Sequence, residues 1–428
     1  MGRTLSSLNK KNEYYGQKRL LILGASDFQL PAILEAKKMG IYVGAADINP
    51  QAAGIPYADE FFRVSTIDEK GVLEAAKEFR AEGIITLCTD MPVRALAYVC
   101  EEMGLVGLDY ESAIRSTDKG AMIRAFEKND VEHPGYMVVS EAEDYRNGHT
   151  GKIITQIEEK LKYPLITKPT DNSGSRGIML VENREQLSYA IQYSSMNGRN
   201  GDIIIEEYMR GPEVSVEMIV MDGIAHVIQI TDKLTSGPPH FVELGHSEPS
   251  GLPYHVKEKI ADLAGRAARA VGIKNGTAHA EVILTDDGPK MVEIGARMGG
   301  DCITTHLVPF STGINMTKEM IKIALGERPD IERKFDKGSA IRFIRPMTGR
   351  VISISGVDEA GAVPGVKAAR VQCTSGQELK ELENGTGRIG YVIAQAETSE
   401  EAVRICENAL KLIKINVAAG KEEKEHDI

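Results

Sequence analysis

The chain has 428 residues, 42% of them hydrophobic and 26% charged, which is enough for two to four structural units of ordinary globular composition. A formal net charge of −11 argues against a nonspecific binder of nucleic acid or of acidic membranes, whose surface must be basic. Five scattered cysteines (Cys88, Cys100, Cys302, Cys373, Cys406) give neither a zinc spacing nor a disulfide framework, and no apolar run has the length of a membrane span, so a cytoplasmic enzyme or binding protein is expected.

The opening MGRTLSSLNKKNEYYGQ lacks the apolar core of a signal peptide, and the closing GKEEKEHDI is polar; residues 1–17 and 417–428 are expected to be flexible tails. From Lys18 onward, RLLILG, IYVGAAD and GIITLCTD alternate with the amphipathic runs LPAILEAKKMG, EKGVLEAAKEFRAEG and VRALAYVCEEMG. That alternation predicts a parallel sheet covered by helices over residues 18–112. LILGASDFQLP, with Asp47 about twenty residues on, has the outline of a dinucleotide loop. However, Ser26 and Gln29 replace two of its three glycines, so a small-substrate loop is the better expectation.

Ser116-Thr117-Asp118-Lys119 caps the helix KGAMIRAFEKND and opens a second unit, residues 113–330. Short β runs follow: YMVVS, YPLITKP, GIMLV, DIIIEEYM, EVSVEMIVMDG and IAHVIQITDK, with a helix at NREQLSYAIQYSS. The long helix YHVKEKIADLAGRAARAVG leads into TAHAEVILTDDG and PKMVEIGARMGG, joined by the hairpin turn TDDG. GPPHFVELGHSEPSGLP, which carries His240 and His246, reads as a loop. A smaller α+β unit, residues 337–416, has strands AIRFIRP, GRVISISG and YVIAQAE and a last helix capped by Thr398-Ser399-Glu400-Glu401. Within it, Gly385-Thr-Gly387-Arg-Ile-Gly390 matches G-x-G-x-x-G but precedes a strand, so no helix terminus is available for a pyrophosphate.

Three stretches carry chemistry. Lys168 ends a strand before Ser173-Gly174-Ser175-Arg176-Gly177, a loop whose glycines expose backbone N–H groups to a phosphate. An ordinary hairpin with a surface lysine would use the same residues. In IIIEEYMRGPE, the strand end at Glu206-Glu207-Tyr208 offers free backbone groups to a purine edge, and Glu213 offers a carboxylate to a ribose; a solvated acidic hairpin is the alternative. The decisive stretch is the TDDG hairpin, which sets Glu281 nearly opposite Glu293. Side chains so paired have Cβ atoms about 5 Å apart, and like charges repel there unless a cation joins them. Magnesium, which prefers a few carboxylates plus substrate phosphates, fits.

Lys119, Lys168, SGSRG, EEYMRGPE, Glu281, Glu293 and Arg297, in this order, resemble the ATP-grasp superfamily of carboxylate–amine and carboxylate–thiol ligases. The resemblance covers nearly the whole chain and extends to the biotin-carboxylase, purine-biosynthesis and L-amino acid ligase branches. It implies a multidomain α/β and α+β fold: a Rossmann-like domain at 18–112, an ATP-grasp domain at 113–330 with a mobile lid at about 134–204, and a small C-terminal α+β domain at 337–416. It also implies ATP and Mg2+ (or Mn2+) as cofactors. Lys119 and Lys168 would contact phosphates, and Ser173, Gly174, Ser175 and Gly177 would lie in the closing loop. Glu206, Glu207 and Tyr208 would surround adenine, Glu213 would hold ribose, and Glu281 and Glu293 would hold the metal. Arg297 would stabilise the acyl-phosphate and tetrahedral intermediate. One departure stands out: Gly295 occupies the position where many members carry asparagine.

The implied reaction converts a carboxylate to an acyl-phosphate that an amine then attacks, releasing ADP and phosphate. His246 is the first candidate for a substrate-side catalytic histidine and His306 the second; Lys233, Asp301 and the Gly299-Gly300 backbone are further candidates for contact with substrate. Small-molecule carboxylate and amine partners and a homodimer are expected, with no nucleic acid and no membrane. A bicarbonate-phosphorylating carboxylase subunit and a non-catalytic nucleotide-binding protein are the alternatives.

Overall fold

RLLIL and YVGAA are runs without polar interruption, as strands covered on both faces must be. In the computed structural model, which describes residues 16–140 and 150–418, they form β1 (Arg19–Leu23) and β2 (Tyr42–Ala46). With β3 (Glu60–Phe62) and β4 (Gly83–Ile85) they make a parallel sheet in the order β3-β2-β1-β4. Alternate residues of β1 enter different cores: Leu20 and Ile22 one, Leu21 and Leu23 the other. Most of the expected leader and tail, residues 1–15 and 419–428, lies outside the described residues, as do 141–149 of the expected lid. The loop after β1 borders an open cavity of about 550 Å³ lined by Gly24, Ser26, Gln29 and Asp47. Gln29 donates to Leu87 O at 3.0 Å, and a Cβ at Gly24 would lie 2.9 Å from it, while Asp47 accepts the Ala25 N–H.

A second, antiparallel sheet comprises β5 (Tyr136–Val139), β6 (Leu165–Pro169), β7 (Met179–Val181) and β8 (Ile203–Glu207) in the order β5-β8-β6-β7. The third sheet is the largest. It begins with β9 (Glu213–Met221), β10 (Ile224–Thr235), β11 (Glu243–Glu248), β12 (Gly276–Thr285) and β13 (Gly288–Gly295). The helix Tyr254–Val271 lays Ile260, Leu263, Ala264, Ala267 and Val271 against Val214, Val216 and Met218 of β9, the stripe its 3.6-residue periodicity requires.

Among the later strands, β14 (Gly338–Phe343), β16 (Val366–Val371) and β18 (Gly390–Ala396) extend this same sheet, in the order β13-β12-β9-β10-β11-β14-β18-β16. Separately, β15 (Gly349–Ser355), β17 (Glu378–Leu379) and β19 (Lys414–Ala418) form a three-stranded sheet. β11 corrects an expectation: ELGHSE is a strand rather than a loop, and it joins β10 to β14. Gly245 permits this approach, since a Cβ there would lie 2.6 Å from Ile341 O. Among the described residues, no helix is long and apolar enough to cross a membrane.

Candidate active site

The β12–β13 hairpin pairs Glu281 directly with Glu293. Both line a cleft of about 940 Å³, open to solvent, between the second and third sheets. Strand alternation sets His279, Glu281 and Ile283 opposite Glu217, Ser215 and Glu213 of β9, so one stripe of the large sheet is strongly acidic. Lysines neutralise it. Lys119 Nζ lies 2.9 Å from Glu293. Lys233, only 4% exposed, lies 2.5 Å from Glu213, 2.9 Å from Glu281 and 3.8 Å from Glu243. Burial alone would favour loss of the lysine protons, but the surrounding carboxylates outweigh it and keep Lys233 well above its ordinary value. Burial likewise opposes ionisation of Glu281, yet Lys233 and His279 hold it well below the usual carboxylate range.

His279 was not among the residues expected here. Its Nδ1 lies 2.5 Å from Glu217 Oε1 and its Nε2 3.4 Å from Glu281 Oε1. Despite burial, which lowers it, Glu217 and Glu281 push its pKa up to about 9. Alternation in TAHAEVILT contained the signal, since residues two apart share a face. Gly299 packs on this pair: a Cβ there would be 2.7 Å from His279 and 2.8 Å from Glu217.

The second sheet supplies the opposite wall. Asp118 caps the helix Lys119–Lys128 by accepting the Ala121 N–H, which sets Lys119 at the helix start, where it also donates to Asn172 O at 2.8 Å. Lys168 of β6 is paired with Glu206 of β8 at 2.7 Å, both nearly buried. Ser173, Gly174 and Ser175 line the cleft, with Gly174 and Ser175 in left-handed conformation. Gly177 lines neither the cleft nor the neighbouring cavity described below. Its backbone is left-handed (φ +79°) and a Cβ there would lie 2.6 Å from Asn197 and 2.8 Å from Pro169, so both conformation and packing call for glycine. Glu206, Glu207, Tyr208 and Glu213 line the cleft. Of the backbone groups at this strand end, the N–H of Glu207 is donated to Gly135 O and that of Tyr208 to Pro164 O.

Arg297 lines an adjoining cavity of about 430 Å³ that shares Lys119, Asn172, Ser173 and Glu293 with the cleft. Its partner is Asp90, from the loop after β4, at 2.8 and 3.3 Å. Of the other residues named for substrate contact, Lys233 lines the cleft, whereas His246, His306, Asp301 and the Gly299-Gly300 turn line neither space. His246, on β11 and 2% exposed, meets Asp301 at 3.3 Å. Asp301 is held by the Arg388 fork at 2.6 Å to each oxygen, and Arg388 stacks 3.8 Å from the Phe343 ring centre. His306, in the π-helical turn Ile303–Leu307, bonds Thr305 at 2.9 Å, and burial and Arg370 lower its pKa.

With this geometry in view, the comparisons are specific. Residues 161–305 match the ATP-grasp domain and residues 342–418 the L-amino acid ligase C-terminal domain 2. The chain thus contains an ATP-grasp domain, followed by a region similar to the C-terminal domain of L-amino acid ligases. It is 27% identical to the alanine–anticapsin ligase of Bacillus subtilis strain 168 over 54% of this chain and 51% of that one, so it spans about half the length of that relative. A phosphoribosylglycinamide synthetase from Anaerococcus prevotii superposes with a TM-score of 0.76 at 26% identity, covering 94% of this chain and all of that one. An L-amino acid ligase from Bacillus licheniformis superposes with a TM-score of 0.80 at 22% identity over 94% and 99%, a likeness of fold.

Proposed function

We propose that this ATP-grasp chain is an ADP-forming carboxylate–amine ligase acting on small molecules, amino acids among them. The observation that carries the proposal is the facing pair Glu281–Glu293, set within reach of Lys119 and Lys233 and beside a cavity lined by Arg297. The match of residues 342–418 to an L-amino acid ligase domain supports the amino-acid class.

The donor set fits magnesium. Among the described residues no group of three or more His, Cys, Asp or Glu side chains is gathered to hold an ion alone, while two facing carboxylates suit an ion that completes its shell with phosphate oxygens and water. Glu281 and Glu293 would hold it, and when bound it would neutralise charge on the transferring phosphoryl group. Lys168 and Lys119, now bonded to Glu206 and Glu293, would turn their ammonium groups to phosphate oxygens. Ser173, Gly174 and Ser175 would close over them and exclude water from the acyl-phosphate. Arg297 would face the oxygens that gain charge as the amine attacks, a role that a preorganised guanidinium fills without rearrangement.

A panel of paired amino acids and small acids tests this directly. Release of ADP and phosphate that requires both a carboxylate and an amine is expected. AMP with pyrophosphate would refute it, and bicarbonate-stimulated ADP release without any amine would reassign the chain to carboxyl-phosphate chemistry.

A further inference from the structure

Gly295 ends β13 two residues after Glu293 and two before Arg297. Its backbone is not in the left-handed region, so conformational freedom does not explain the glycine. Space does. A Cβ built there would lie 3.2 Å from Arg297 Cζ, 3.2 Å from Arg297 Nε and 3.2 Å from Asp90 Oδ1. These contacts are tighter than a Cβ ordinarily makes, so a side chain here would press on an ion pair whose acid comes from 207 residues earlier.

The loop that brings this acid docks at two points. Cys88, in left-handed conformation, donates its Sγ–H to Gly299 O at 3.2 Å, and Asp90 accepts from Arg297 Nε at 2.8 Å and Nη2 at 3.3 Å. The remaining nitrogen, Nη1, donates to Met298 O at 3.2 Å. A guanidinium on a long flexible stem is thus fixed in plane and in position, 8% exposed, on the wall it shares with Glu293.

We propose that Asp90, carried by the parallel-sheet segment, is the positioning residue for Arg297, and that residue 295 is glycine because a side chain there would press on this pair. The proposal rests on the ligase assignment of Arg297 and extends it to two residues for which that assignment gives no role. Arg297 alone would pair with any nearby anion, including Glu293. Asp90 satisfies one edge of the fork and leaves the group aimed, so that productive geometry depends on contact between the first sheet's loop and the β13 turn.

The test uses the full chain and whichever pair of amino acid and small acid from the panel releases most ADP. Asp90→Asn keeps shape and removes charge; it is expected to lower kcat about ten- to a hundredfold, the scale of a misplaced catalytic group, with the KM for ATP unchanged. Gly295→Ala is expected to lower kcat as well, yet to add little when combined with Asp90→Ala, because Arg297 has then already lost the position that a side chain at 295 would disturb. Unchanged kcat in Asp90→Asn overturns the proposal. So does a loss of kcat matched by equal losses in ATP binding and thermal stability, which marks a merely structural residue. If the wild-type chain turns over no panel pair, the ligase assignment fails. The pair is then judged by the 15Nε–H resonance of Arg297, assigned by its absence in Arg297→Lys. An exchange-protected signal lost in Asp90→Asn upholds the positioning, and the same signal in both proteins overturns it.

Discussion

Replacing Lys233 by methionine keeps most of the side chain's volume and removes an ammonium that reaches Glu213, Glu281 and Glu243 together. Breaking a fully buried ion pair costs about 3–5 kcal/mol, because a charge is left without a partner. Here Glu213, Glu281 and Glu243 are 24%, 17% and 21% exposed, so water offsets part of that loss and about 2–3 kcal/mol is the better figure. For a chain of 428 residues that corresponds to a fall in Tm of roughly 2–3 °C. The deficit should shrink in millimolar MgCl2, because Glu281 faces Glu293 and a divalent cation neutralises both. Differential scanning fluorimetry of wild type and Lys233→Met, each with EDTA and with MgCl2, makes the measurement. Equal Tm values for the two proteins in EDTA would refute the charge reasoning, and a deficit untouched by MgCl2 would refute the metal assignment.

Glu293→Gln removes one of the facing carboxylates and should cut turnover by on the order of a hundredfold or more, with a raised magnesium requirement seen in a metal titration of ADP release. His279, raised from 6.5 to about 9 in the folded chain, contributes stability that is fully present below pH about 6.5 and is lost as the pH rises through about 9. Urea unfolding in EDTA should therefore show an advantage of wild type over His279→Gln that falls by roughly 3 kcal/mol across that window, whereas a pH-independent difference would contradict it. Arg388→Lys keeps the charge but loses the bidentate grip on Asp301 and the stacking on Phe343, so a loss of about 1–2 kcal/mol in denaturant unfolding is expected.

Local chemistry made the centre of the site legible. TDDG combines turn residues with alternating strands, so the register of Glu281 with Glu293 followed from residues within fifteen positions of one another. Lys168 stood out on a strand end before a glycine loop, whereas local chemistry placed Lys119 only behind a helix cap and the family resemblance alone pointed to it. What escaped depends on distant segments. Asp90 lies in a loop whose composition says only that a helix follows, and its role appears when β4 is set beside the β13 turn. Arg388 reaches Asp301 from a segment that resembles a phosphate loop in sequence and acts here as an arm onto the Gly299-Gly300 turn. ELGHSE has no apolar alternation to mark it as a strand, because it is held between β10 and β14 by backbone pairing. His279 and Glu217 are a different case: the period-two pattern placed them on the acidic face, and only the carboxylate pair drew attention.

The central claim is phosphorylation of a carboxylate before an amine attacks, and trapping with hydroxylamine tests it most directly. With ATP, magnesium and the active carboxylate but no amine, the chain should form one hydroxamate for each ADP released, and Glu293→Gln should form almost none. ADP release without hydroxamate, or hydroxamate accompanied by AMP and pyrophosphate, would contradict the account.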